Sequence, residues 1–165
     1  MEKKTRGLIF AIVAIVLMAL ITLGVIGYLT SLPRESTQVA AGPAYQTLLP
    51  ANTSIEALGG WSRVSPPESE PVYAFTDTIN DVAINVSQQL LPESFRGDVS
   101  VRIAELAKSY NATTAVDVSG TTVYIGTSAR GPQSVLFTKR DLLILIKSDA
   151  TISPEAWATY VTSLR

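Results

Sequence analysis

From Gly7 to Leu29 the chain carries no charge: 23 consecutive residues rich in Ile, Val, Leu and Ala, with Thr22 the only polar side chain before Tyr28. No other stretch restricts the possible folds so strongly. A helix of that length is about 34 Å long, enough to cross a hydrocarbon core of about 30 Å with some tilt. A helix in a water-soluble core would show a polar face, and this segment has none. The run therefore predicts one transmembrane helix over residues 7–29.

The flanking charges set the expected orientation. Lys3, Lys4 and Arg6 precede the run, whereas Arg34 beyond it is offset by Glu35. The positive-inside rule places residues 1–6 in the cytoplasm as a short stub and the remainder outside it, in or beyond the cell (plasma) membrane. A cleaved signal peptide is the competing reading, with Val39-Ala40-Ala41 as its small-residue site. Signal peptides use apolar runs of only about 7–15 residues, so a retained anchor is expected.

Composition narrows the function classes. The 165 residues contain no cysteine, so neither disulfides nor a lipid-modified cysteine can hold the exported part. Three of the 13 Lys/Arg and one of the 14 Asp/Glu precede residue 33, which leaves ten basic against thirteen acidic groups beyond it. That mildly acidic balance, without a basic stripe, argues against nucleic acid as a partner.

Residues 30–52, punctuated by Pro33, Gly42, Pro43 and Pro50, read as a flexible tether. The remainder, 53–165, reads as one domain. Ser65-Pro66-Pro67 through Pro71 is a loop. Val72–Ile79 and Val82–Ser87 alternate about Asn80-Asp81 as a hairpin. Asp98 caps a helix whose stripe is Val99, Ile103, Leu106, Ala107 and Tyr110, and Asn111 ends it. Four strands follow, turning at Ser119-Gly120, Ser128–Pro132 and Lys139-Arg140-Asp141; the fourth, Leu142–Ile146, is apolar at every position. Ser153-Pro154-Glu155 opens a last helix bearing Trp157, Tyr160, Val161 and Leu164 on one face. The order ββ-α-ββββ-α predicts an α+β domain: an antiparallel sheet with helices packed on one face.

Chemistry-bearing motifs are sparse. The absence of histidine removes Ser-His-Asp and Cys-His nucleophiles and most zinc sites. A Ser-Lys dyad has only Lys147-Ser148 and Lys108-Ser109 as adjacent candidates, and neighbours in a strand point to opposite faces. Glu68 with Glu70, and Asp77 with Asp81, are ordinary solvated carboxylates rather than a glycosidase pair. No cofactor or metal is expected, and no enzyme. One loop, Gly126 to Gln133, combines glycines, hydroxyls and Arg130, and its candidate binding residues are Arg130, Gly131 and Gln133. In the anchor, Gly7, Ala11 and Ala14 lie on one face and permit close helix–helix approach. Trp61 and Trp157 are expected at or near the core.

Val123-Tyr124-Ile125-Gly126-Thr127-Ser128, Gly131-Pro132-Gln133-Ser134-Val135, the run Leu142 to Ser148, and Trp157 together carry a resemblance. The pattern resembles uncharacterised single-pass envelope proteins of reduced-genome, candidate-phylum bacteria. The resemblance covers most of the exported part, and implies a bacterial envelope architecture without an activity or site residues. The expected function is a membrane-anchored, extracytoplasmic binding or scaffolding module contacting another envelope protein or wall polymer. The alternatives are an accessory subunit of a membrane complex and an envelope hydrolase.

Overall fold

The structure, a computed structural model, describes residues 42–165. The expected transmembrane helix over 7–29, its packing residues Gly7, Ala11 and Ala14, and the stub 1–6 lie outside the described residues. Among those described, no helix is long and apolar enough to cross a membrane.

Two short strands of different character begin the domain. β1, Ser62–Arg63, is a two-residue edge piece, and β2, Tyr73–Ile79, pairs with it. β2 turns through Asn80-Asp81 into β3, Val82–Leu90, and both turn residues take positive φ (50° and 64°), as a tight two-residue hairpin demands. A 3-10 turn at Glu93–Phe95 leads to helix α1, Val99–Ser109. Asp98 caps it by accepting the Val101 N–H at 3.2 Å, and Asn111, at φ 54°, ends it. β4 (Ala112–Val118), β5 (Thr121–Thr127), β6 (Gln133–Lys139) and β7 (Leu142–Ser148) form a meander, and helix α2, Pro154–Ser163, closes the fold. Ser153 accepts the Ala156 N–H at 3.3 Å and Pro154 opens the first turn, as the sequence predicts.

The seven strands form one antiparallel sheet in the order β1-β2-β3-β7-β6-β5-β4. The two helices lie on opposite faces of it, which corrects the expectation that both share one. Alternation along β7 shows why. Leu142, Ile144 and Ile146 join Trp157, Tyr160, Val161 and Leu164 of α2 in the larger core. Leu143, and more loosely Leu145, join Phe95, Ile103 and Ala107 on the α1 side. A strand apolar at every position is buried from both sides.

Helix α2 lies against β4 at one end of the sheet, while its Tyr160 hydroxyl donates to Asp77 on β2 at 3.0 Å. In a flat sheet those strands would be about 24 Å apart at about 4.8 Å per step. A ten-residue helix is only about 15 Å long. The sheet therefore curls over α2, and Trp157, with no exposed surface, sits at the centre of the concave side. Trp61 is half-buried and packs edge-on against Phe75 and Tyr73 at the rim of the same core.

The domain begins earlier than the predicted tether allows. Leu48 is fully buried in the α2-side core, and Tyr45 and Leu49 pack beside it. Gln88 on β3, itself fully buried, holds this strap through both amide atoms: Oε1 accepts the Leu48 N–H at 2.8 Å, and Nε2 donates to the Leu48 carbonyl at 2.6 Å. Leu49 and Arg165 exchange backbone bonds at 3.0 and 2.9 Å, and Ala51 N–H donates to the Ser163 carbonyl. Residues 45–52 thus belong to the fold instead of the tether 30–52.

Candidate functional site

The loop singled out in the sequence is a hairpin connection between β5 and β6. Ser128 N–H donates to the Pro132 carbonyl at 2.9 Å, and Gly131 N–H to the Ser128 carbonyl at 3.0 Å. Gly131 adopts φ 102°, a conformation that excludes most side chains, and its carbonyl accepts from the Thr151 hydroxyl at 2.9 Å. Gly126 is required for another reason: a Cβ there would overlap the Tyr110 carbonyl where α1 turns into β4.

Gln133 is not available to a ligand. It is buried, and its Oε1 accepts from the Ile152 N–H at 2.8 Å and from the Trp157 indole N–H at 2.9 Å. Its Nε2 donates to the Thr127 hydroxyl at 3.1 Å, and its own N–H donates to Ser148 Oγ at 3.2 Å. Of the three candidate loop residues, Gln133 therefore joins the core, Gly131 shapes the turn, and only Arg130 is presented to solvent.

The adjacent pairs do not become dyads. Lys147 is exposed while Ser148 is buried, and Ser148 Oγ donates to the Ala150 carbonyl at 2.7 Å. Ser109 Oγ donates to its own helix, to the Leu106 carbonyl. Glu68 and Glu70 are exposed in the proline loop, and Asp77 faces Tyr160 rather than Asp81. Among the described residues, no group of three or more His, Cys, Asp or Glu side chains could hold a metal ion.

Three side chains that are wholly or partly buried are displaced from their ordinary titration. Burial, reinforced by the Asp77 carboxylate, pushes the Tyr160 phenol well above its usual range. Burial raises the Tyr45 phenol as well. Desolvation, with a smaller contribution from Arg140, lowers the Lys139 ammonium, which donates to the Val161 carbonyl near the end of α2 at 2.8 Å. All three hold the α2 side of the sheet together.

Sequence reasoning missed a groove on the opposite face. Helix α1 lies over β4, β5 and β6 and leaves the flanks of β7 and β3 partly open. There a groove of about 240 Å³ runs between Leu106 and Tyr110 of α1 and a floor of Leu143, Leu145, Ser87 and Gln89. Its side chains are apolar or neutral, the Tyr110 phenol being the one titratable group among them. The trace in the sequence was in β3, whose α1-side positions Ser87 and Gln89 are polar and opposite Leu145 and Leu143 of β7. A strand dressed for water beside one dressed for burial marks where a helix stops covering the sheet.

Compared with models of known protein families, with curated proteins and with solved structures, the chain matches none of them.

Proposed function

We propose that the protein is a binding or scaffolding module of a bacterial cell envelope, anchored through residues 7–29 with its domain outside the cytoplasm. In this reading it contacts another envelope protein or a wall polymer. The groove beside α1 is the observation that supports it most. Leu143 and Leu145 give it an apolar floor, Ser87 and Gln89 offer hydroxyl and amide groups, and no acid–base pair stands in it. Such a lining grips and orients a partner without chemistry. Its volume of about 240 Å³ lies below the roughly 300–1,000 Å³ of sites that enclose whole small molecules. An inserted side chain or a short stretch of polymer suits it better than a metabolite.

A photo-crosslinking residue placed at Gln89 in the living cell tests this. One defined adduct is expected, lost when Leu145→Arg fills the groove and retained for a probe at Thr76 only if contact is non-specific. Equal adducts from Gln89 and Thr76, or none from Gln89, would count against the groove. The orientation is tested separately, by a reporter active only outside the cytoplasm fused after Arg165. Silence of that reporter would overturn the topology.

A further inference from the structure

The two edges of the sheet are treated differently. At one edge, β1 is only two residues long and pairs with Tyr73 and Ala74 alone, and Arg63 Nη2 donates to the carbonyls of Pro66, Pro67 and Ser69, folding the proline loop that follows it. A very short edge strand is one way sheets limit edge pairing. At the other edge, β4 runs for seven residues, Ala112–Val118, and contains neither lysine, arginine nor proline. Thr113, Thr114, Ala115 and Asp117 are all exposed.

The register of the β4–β5 hairpin identifies the open backbone groups. Ser119-Gly120 forms a two-residue turn with both φ positive (53° and 81°), and Val118 pairs with Thr121 across it. In such a hairpin the residues flanking the turn exchange backbone bonds, and so do alternate pairs beyond them. Val118, Val116 and Thr114 therefore bond to β5, while the N–H and C=O of Ala115 and Asp117 point off the sheet. Among the described residues, no group bonds them: Asp117 engages Gly120 through its side chain alone.

We propose that this edge pairs, antiparallel and two-fold symmetric, with β4 of a second copy of the chain. The sequence of the strand is self-complementary in one register. Val116 faces Val116 of the second copy across a close, non-hydrogen-bonded pair, and Ala115 exchanges backbone bonds with Asp117 of the second copy. Each Asp117 then faces a small neutral side chain instead of another carboxylate, so the only charge on the edge meets no like charge directly opposite. The start of the strand, where the register shifts between Ala112 and Thr114, stays outside the paired segment. Val116 is half-buried against the α2-side core, so pairing extends that core across the symmetry axis. This surface is distinct from the groove, and the proposal stands or falls without it.

The absence of cysteine makes the test clean. In the full chain in detergent, Val116→Cys is expected to oxidise to a disulfide-linked dimer, and Thr76→Cys on β2 to remain monomeric. Association through the anchor alone would crosslink neither or both, and either result overturns the proposal. Adding Ala115→Pro to Val116→Cys removes only an outward N–H and is expected to abolish the dimer with the far-ultraviolet spectrum unchanged. Ala115→Asp, which sets two carboxylates opposite each other, is expected to reduce the yield several-fold, whereas Ala115→Lys preserves it. Equal yields for those two variants, or a Val116→Cys adduct with a different protein in cells, would also overturn it.

Discussion

Gln133 carries more of the structure than its place in a glycine-rich loop suggests. A glutamine beside Arg130 and Gly131 reads as a ligand contact because its partners are invisible locally: they arrive from 19 and 24 residues further on, at Ile152 and Trp157. One carbonyl oxygen thereby fixes both the entry to α2 and the orientation of its central indole. Replacing it with an isosteric apolar group orphans two buried donors, each costing about 1–3 kcal/mol. Gln133→Leu is therefore expected to lower stability by roughly 2–4 kcal/mol, with a red-shifted tryptophan emission as Trp157 loosens. A chemical melt of that variant overlaying the wild type would return Gln133 to the list of available binding residues. The helix caps behaved differently. Asp98 and Ser153 bond to N–H groups only three residues away, so spacing alone was enough to find them.

At the scale of elements, the strands and helices were legible and their arrangement was not. Period-two alternation and turn chemistry located β2 to β7 because those signals are written within each segment. Which face a helix covers depends on a partner elsewhere, and the stripes of α1 and α2 look alike. The deciding signal was β7, where Leu142–Ile146 is apolar at both parities and so needs a layer on each side. The curl of the sheet over α2 places another test there. Tyr160 on α2 donates to Asp77 on β2, and its phenol is held protonated by burial and by that carboxylate. Below pH about 10, folded and unfolded chains both keep the proton and the contribution is complete. Above it, the unfolded chain releases its proton first, so stability falls as pH rises, approaching about 1.4 kcal/mol per pH unit for one such group. Tyr45 adds in the same direction. Tyr160→Phe is expected to be less stable than the wild type at neutral pH yet to lose less between pH 10 and pH 11.5. Parallel alkaline profiles for the two proteins would show that Tyr160 titrates normally.

At the scale of the whole molecule, the segment that leads into the sheet is part of the fold. Composition places residues 30–52 in a tether because prolines and small polar residues dominate there, and the averaging hides Tyr45 and Leu48. Leu48 is fully buried and clamped by Gln88, and Leu49 and Ala51 bond to the last turn and terminal residues of the chain. Burying one leucine is worth about 1.5–3 kcal/mol, and each protein–protein hydrogen bond adds about 0.5–1.5 kcal/mol net. Loss of the strap also leaves the amide of Gln88 buried without partners, which costs about 1–3 kcal/mol more. Those contributions together are comparable with the roughly 5–15 kcal/mol that separates folded from unfolded in an ordinary domain, and no disulfide compensates. A fragment beginning at residue 44 is therefore expected to melt cooperatively, whereas one beginning at residue 53 is expected to be unfolded or to melt far lower. Gln88→Ala in the longer fragment should fall between them, because it releases the strap while leaving Leu48 in the chain. The same geometry bears on the proposed anchor, since a pull on residue 44 would be borne first by Tyr45, Leu48 and the Gln88 clamp. Indistinguishable melts for the two fragments would mean that the strap rests on the core without supporting it, and would restore the tether to residue 52.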